Sequence, residues 1–321
     1  MLRSWFTVCV SGVLALGFSS LVQAGDFHTA DSLICSDCHV MHYSESHTLT
    51  GSFSPNPPLA GGGPFPKLLR NSQSQLCLAC HDGKTDAPDV RGANTGNYVR
   101  AAGQLNVNGD GNEATGHTIG SLSNPPGGSW TNPGLECIHC HDKHGNGYYR
   151  NLLPNPGTAT GKIVTYTTGT TYTGTAAIQQ LAATPMATHY AVSNIRYRQA
   201  QAGSTDFGLS QWCGGCHGNI HGDSGALFTH PEGVTMAQGV ADGKVDSTHW
   251  FSSLASRVPV VSPSDTIPGT ASASDNQVFC GSCHKAHGSA NQHGLIYDDD
   301  STPALEDGTS LNQTCQQCHF Q

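Results

Sequence analysis

Charge is scarce in this chain. Asp, Glu, Lys and Arg supply 12% of its 321 residues, and 14 basic side chains face 23 acidic ones, for a formal net charge of −9. That balance disfavours nucleic acid and anionic membranes as partners and leaves cationic or mineral surfaces open. Long apolar runs are missing after residue 24, where nothing approaches the roughly eighteen residues that cross a bilayer as a helix. Apolar side chains reach 36% against 39 glycines and 17 prolines, so side chains alone are too few to build a core. Methionine is nearly absent: beyond Met1 the chain has Met41, Met186 and Met236. Of thirteen cysteines only Cys9 stands outside a repeated pattern.

The other twelve cysteines form six copies of Cys-x-x-Cys-His. They are Cys35, Cys38 and His39; Cys77, Cys80 and His81; Cys137, Cys140 and His141; Cys213, Cys216 and His217; Cys280, Cys283 and His284; and Cys315, Cys318 and His319. This is the attachment pattern of haem c, in which two thiols add across the vinyl groups of one porphyrin and the following histidine ligates its iron. Structural zinc half-sites need no histidine at this place, and a redox dithiol normally occurs once. Six covalent haems bring the apolar surface that the side chains lack. The expected fold class is therefore a multihaem cytochrome c: mostly irregular loops with short helices and little β, wrapped round a continuous stack of six haems.

Residues 1–24 read as a signal peptide, with Arg3 as a short positive start, an apolar stretch from Trp5 to Leu21 and a small-residue site at Val22-Gln23-Ala24. Export to the outer cell surface or beyond follows, with the periplasm as the alternative, and covalent haem attachment suits either. First cysteines are 42, 60, 76, 67 and 35 residues apart, which groups the motifs in pairs. The pairs define three two-haem modules, 25–110, 111–225 and 226–321, along one haem chain. In each, the first motif carries a further histidine three residues on, at His42, His144 and His287, and a Leu- or Tyr-rich stretch follows. This is an internal repeat. Between motifs, 176–183 and 194–202 read as short helices and Thr165 to Thr173 as a small hairpin.

Twelve histidines lie outside the motif position, so bis-histidine ligation is the economical expectation and implies lower potentials than His/Met ligation. At helical spacing His42, His144 and His287 share a side with their own proximal histidine, so each must serve a neighbouring haem. His117 and His230 lie upstream of the second and third modules, where a loop can fold back over a haem. His221 is the sixth distal candidate, and His28 and His249 are reserves. His47, His139, His189 and His293 read as solvated. Asn106 to Glu113 resembles the start of a calcium loop, but its twelfth position is His117, so a polar turn is the simpler reading and calcium a secondary one.

The order of these motifs, from Phe27-His28 through the Trp-Cys-x-x-Cys-His-x-x-Ile-His run ending at His221 to the terminal Cys-x-x-Cys-His, resembles the hexahaem outer-surface cytochromes of metal-respiring bacteria. Protomers of that family stack into extracellular filaments (nanowires). The resemblance implies that His42 binds the iron of the haem on Cys280 and Cys283 in a neighbouring copy, giving a head-to-tail homopolymer. It also implies outer-membrane cytochromes as electron donors and metal oxides or electrodes as acceptors. The expected function is extracellular electron transport by a protein that is not an enzyme. A monomeric shuttle is the alternative. A multihaem reductase is disfavoured because all six motifs keep their histidine.

Overall fold

The computed structural model describes residues 28, 33, 35–39, 66–83, 87, 89–91, 102–105, 115–128, 130–169, 178–181, 195–197, 208–218, 220, 236–242, 261 and 277–296. Among them, regular structure is short and irregular backbone dominates. The helices are α1 Cys35–Cys38, α2 Gln73–His81, α3 Leu209–Cys213, α4 Met236–Ala241 and α5 Cys280–Cys283. All but α4 carry motif cysteines, and Cys137–His139 forms a 3-10 turn at the same place in the third motif. The helix α2 is the longest because Gln, Leu and Ala at its centre favour helix. It stops at Asp82, whose backbone is extended, and Gly83 then turns left-handed at φ 72°.

A three-stranded sheet joins β1 Tyr166–Gly169, β2 Ile178–Leu181 and β3 Ile195–Tyr197 in the order β1-β2-β3, parallel then antiparallel. The first arm of the hairpin expected at 165–173 is a strand that pairs with β2, and its second arm, 170–173, lies outside the described residues. The two short helices expected around 176–183 and 194–202 contain strands: Ile178-Gln179-Gln180-Leu181 and Ile195-Arg196-Tyr197 are too short to nucleate a helix without an apolar face, whereas sheet pairing satisfies their backbone directly.

The buried apolar cluster is small. Tyr149, Leu152, Val164 and Trp212 pack together with Cys140, Leu209 and Cys213 against them, so the core sits where the third and fourth motifs meet. The Trp212 indole N–H donates to the carbonyl of Leu153 at 2.7 Å, tying α3 to the stretch after the third motif.

A threefold device recurs after the odd-numbered motifs. Two consecutive residues turn left-handed: Lys67 and Leu68 (φ 64° and 57°), Arg150 and Asn151 (52° and 55°), His293 and Gly294 (57° and 66°). This is the backbone of a type I′ turn, which costs about 1–2 kcal/mol per non-glycine residue, so it needs compensation. Each turn leads into an isolated antiparallel bridge to the motif histidine, His39 with Leu69, His141 with Leu152 and His284 with Leu295. The next residue then donates to the second cysteine's carbonyl: Arg70 to Cys38 at 3.0 Å, Leu153 to Cys140 at 2.9 Å and Ile296 to Cys283 at 2.8 Å.

Candidate haem-binding site

Successive motifs abut through their cysteines in an alternating pattern. Within a module the second cysteines approach: Cys38 and Cys80, then Cys140 and Cys216, lie close enough for each neighbour's charge to oppose ionisation of Cys38 and Cys140. Burial is the larger cause, and these thiols are pushed up to about 11 and about 12. Between modules the first cysteines meet. Cys77 hydrogen-bonds Cys137, which holds the Cys137 thiol down to about 7, and Cys213 hydrogen-bonds Cys280. Motifs one to five therefore run in sequence order through space. The sulfurs here are thiols, standing for the thioethers of an attached porphyrin.

Four imidazole pairs face each other: His28 with His81 at 6.0 Å between ring centroids, His39 with His144 at 6.4 Å, His117 with His217 at 6.0 Å and His141 with His287 at 6.2 Å. Each pair joins one motif histidine to one histidine from outside the motifs. Taking about 2.0–2.1 Å for a metal–imidazole bond and about 1.2 Å from ring nitrogen to ring centre, two imidazoles on opposite sides of one metal stand roughly 6.5 Å apart, a few tenths of an ångström above the spacings here. The spacing thus fits one iron between each pair.

Tautomers agree with this geometry. A backbone carbonyl can only accept, so an imidazole whose Nδ1 faces one donates there and leaves its Nε2 lone pair to a metal. His39 donates in this way to Lys67 at 3.0 Å, His141 to Arg150 at 2.8 Å and His284 to His293 at 2.8 Å. All three acceptors are the first residue of a left-handed turn. The turn is what aims each carbonyl at the motif histidine, and that bond offsets part of its strain. His217 donates to Pro126 at 3.1 Å, and His117 to Ala286 at 2.6 Å. His139 has the opposite tautomer: its Nδ1 accepts from the Glu136 N–H at 2.9 Å, so Nε2 carries the proton. That bond separates it from the histidines facing a partner ring.

Burial disfavours the imidazolium form at His28, His117 and His141 and pushes His287 down to about 3, with His141 and His117 as further causes at His287. A neutral imidazole is the form that binds iron.

The segments holding His117 and His287 interlock. His287 N–H donates to Ala102 at 2.6 Å, Gln104 to Gly288 at 2.9 Å, His117 to His287 at 3.0 Å and Ser289 to Thr115 at 3.1 Å. Glycine is required at the crossing. A Cβ on Gly116 would lie 2.4 Å from the Gly288 Cα, and one on Gly288 would lie 2.7 Å from the Thr115 carbonyl oxygen.

Of the six distal candidates, His117, His144 and His287 each face a motif histidine, as does the reserve His28. His144 and His287 reach back past the adjacent motif to the preceding odd one, not to the neighbouring motif that the sequence suggested. The helical reason given for their position does not apply either, because the turn of the third motif ends at His139, the helix of the fifth ends at Cys283, and His284 is extended at φ −116°, ψ 148°. His42, His221, His230 and His249, the motif of Cys315, Cys318 and His319, the signal peptide and the calcium-like run lie outside the described residues. His293 contributes its carbonyl, not its ring. The turn carbonyls of Lys67, Arg150 and His293 were missed by sequence reasoning. A recurring basic-x-Leu, as Lys67-Leu68-Leu69, Arg150-Asn151-Leu152 and His293-Gly294-Leu295, is the signal that marks them.

Residues 272–321, holding the fifth and sixth motifs, match the family model described as a doubled CXXCH motif. Over 90% of its length the chain is similar to the C-type cytochrome OmcS of Geobacter sulfurreducens, at 26% identity and covering 84% of that protein. Two solved structures also align. The Outer Membrane Cytochrome S filament from Geobacter sulfurreducens matches at 20% identity, with 84% of this chain, 86% of that one and a TM-score of 0.48. The OmcS nanowires of the same organism match at 21%, with 80% and 81% coverage and a TM-score of 0.45. The chain is thus similar to a multihaem c-type cytochrome along most of its length, and its motifs are those that bind haem c covalently. No helix among the described residues is long and apolar enough to cross a membrane.

Proposed function

We propose that this protein is a six-haem electron conduit, exported and polymerised head to tail, that carries electrons from the cell envelope to extracellular acceptors. The observation that carries the reading is the set of four imidazole pairs at 6.0–6.4 Å. Haem c, when bound, supplies a one-electron iron couple, and its potential is set by axial ligands, burial and hydrogen bonding. The side chains here do three things. Cysteine pairs would hold each haem to the backbone, histidine pairs would ligate its iron, and turn carbonyls fix the imidazole tautomers. With both faces closed a substrate has no metal position to occupy, which favours electron transfer over bond chemistry.

Polymerisation follows from the register of the repeat. The extra histidine after motif five faces motif three, and the one after motif three faces motif one. His117 ties the second module to the third in the same direction: its ring donates to Ala286, the residue just before the next module's extra histidine. No Cys-x-x-Cys-His motif stands before Cys35 in this sequence. One further step of the same shift therefore assigns His42 to the motif of Cys280, Cys283 and His284 in a second copy. A contact of this kind is heterologous, and with a rotation that does not close it builds a fibre. The sixth motif takes its distal ligand from His221, His230 or His249, upstream of it as His28 and His117 are upstream of theirs.

Electron microscopy of the secreted protein with its visible spectrum tests this reading. Fibres with six low-spin haems per chain are expected. A dispersed monomer with every iron six-coordinate would contradict it, because His42 would then serve its own chain.

A further inference from the structure

Two junctions between modules share one hydrogen-bond pattern and differ in the side chain before the first cysteine and in the acceptor three residues after it. At the first, Ser74 of α2 accepts from the Cys137 N–H at 3.1 Å, and Glu136 donates its own N–H to a side chain three residues on, at His139. At the second, Ser210 of α3 accepts from the Cys280 N–H at 3.0 Å, and Phe279 donates its N–H to Ser282 at 3.1 Å. Both residues have extended backbone, at φ −128°, ψ 158° for Glu136 and φ −139°, ψ 172° for Phe279. They occupy the same place, immediately before the first cysteine of an odd motif. One carries a carboxylate and the other an apolar ring that is 6% exposed.

The carboxylate is aimed into its junction. Glu136 Oε2 accepts from the Ser74 N–H at 3.1 Å and from the Ser74 hydroxyl, and Ser74 is 2% exposed. Ser74 lies three residues before Cys77 on the same helix, and the charge is near enough to Cys77 and Cys137 to oppose ionisation of both. Glu136 forms no ion pair with a lysine or arginine among the described residues. At the other junction the Phe279 ring covers Gly281, where a Cβ would lie 2.6 Å from the ring, and no charge is present at that position.

We infer that Glu136 makes the junction of the second and third motifs the low-potential section of the haem chain, while Phe279 leaves the equivalent junction of the fourth and fifth motifs at higher potential. A fixed negative charge at short range favours the ferric state over the ferrous one, and low surrounding dielectric enlarges the effect. Glu136 acts through the field it places on the two haems and does not ligate them, so it is a positioning residue for the electron. Electrons crossing each protomer would pass one dip in potential, in the same place in every repeat. This inference rests on the proposed binding of haem at these motifs.

The test is a redox titration of the intact holoprotein, followed optically and by electron paramagnetic resonance, for wild type, Glu136→Gln and Glu136→Asp, each first checked by mass for covalent haems. Glu136→Gln keeps an acceptor for Ser74 and removes only the charge. Two of the six one-electron components are expected to shift positive while four stay in place, and Glu136→Asp is expected to keep both near their wild-type positions. Unchanged midpoints in Glu136→Gln, equal shifts in the Gln and Asp variants, or a uniform shift of all six would overturn the inference. Fewer than six haems in the wild-type mass would instead sink the functional reading beneath it.

Discussion

Histidine alone does not say which histidine binds. Eighteen are present, and the sequence identifies six of them by what precedes them. Among the described others, the ring each one faces separates them, and that property has no sequence period. His28 shows the difficulty: nothing around it marks it above His249, yet its ring stands 6.0 Å from that of His81. His139, by contrast, lies inside a motif and has its accepting nitrogen turned to a backbone N–H. A substitution at this scale should act on one iron. His287→Ala is expected to leave the motif-three iron five-coordinate, so that one haem per chain turns high-spin and binds carbon monoxide when reduced, as read from the Soret region. His287→Met should instead keep that iron six-coordinate and raise its potential, since thioether ligation favours the ferrous state.

Short elements were legible where the cofactor chemistry fixes them and illegible where pairing does. Helical turns at the motifs followed from the motifs. The sheet did not, because four-residue strands are decided by which distant segment satisfies their backbone. The left-handed turns are also tertiary: Lys67, Leu68 and Arg150 have no intrinsic preference for a positive φ, and only Asn151, His293 and Gly294 hint at one. Leu68→Gly, which copies Gly294 at the equivalent place, is expected to stabilise the protein by about 1 kcal/mol by removing αL strain from an exposed side chain, measured by denaturant midpoint. Gly288→Ala should do the reverse. Its Cβ meets the Thr115 carbonyl at φ 140°, so the crossing opens and both histidines at it, His117 and His287, lose position. Two haems per chain would then bind carbon monoxide, against one for His287→Ala.

At the scale of the molecule the chain behaves as one register repeated. Three modules could be read from the spacing of cysteines and from the histidine three residues after each odd motif, and the small apolar content already pointed to a core made by cofactors. The direction of the shift could not be read, since it depends on which module folds back on which. On the proposed register, reaching back by a whole module would carry His42 to motif five of a second copy. His42→Ala is therefore expected to disperse the fibres while six haems stay attached. Carbon monoxide added to reduced protein then reads both ends of this scheme at once, with haem count fixed by mass. Intact wild-type fibres should bind almost none, and dispersed His42→Ala chains should bind one per six haems. Substantial binding by intact fibres would mean that the irons are open, and that the pairing of imidazoles across them does not hold.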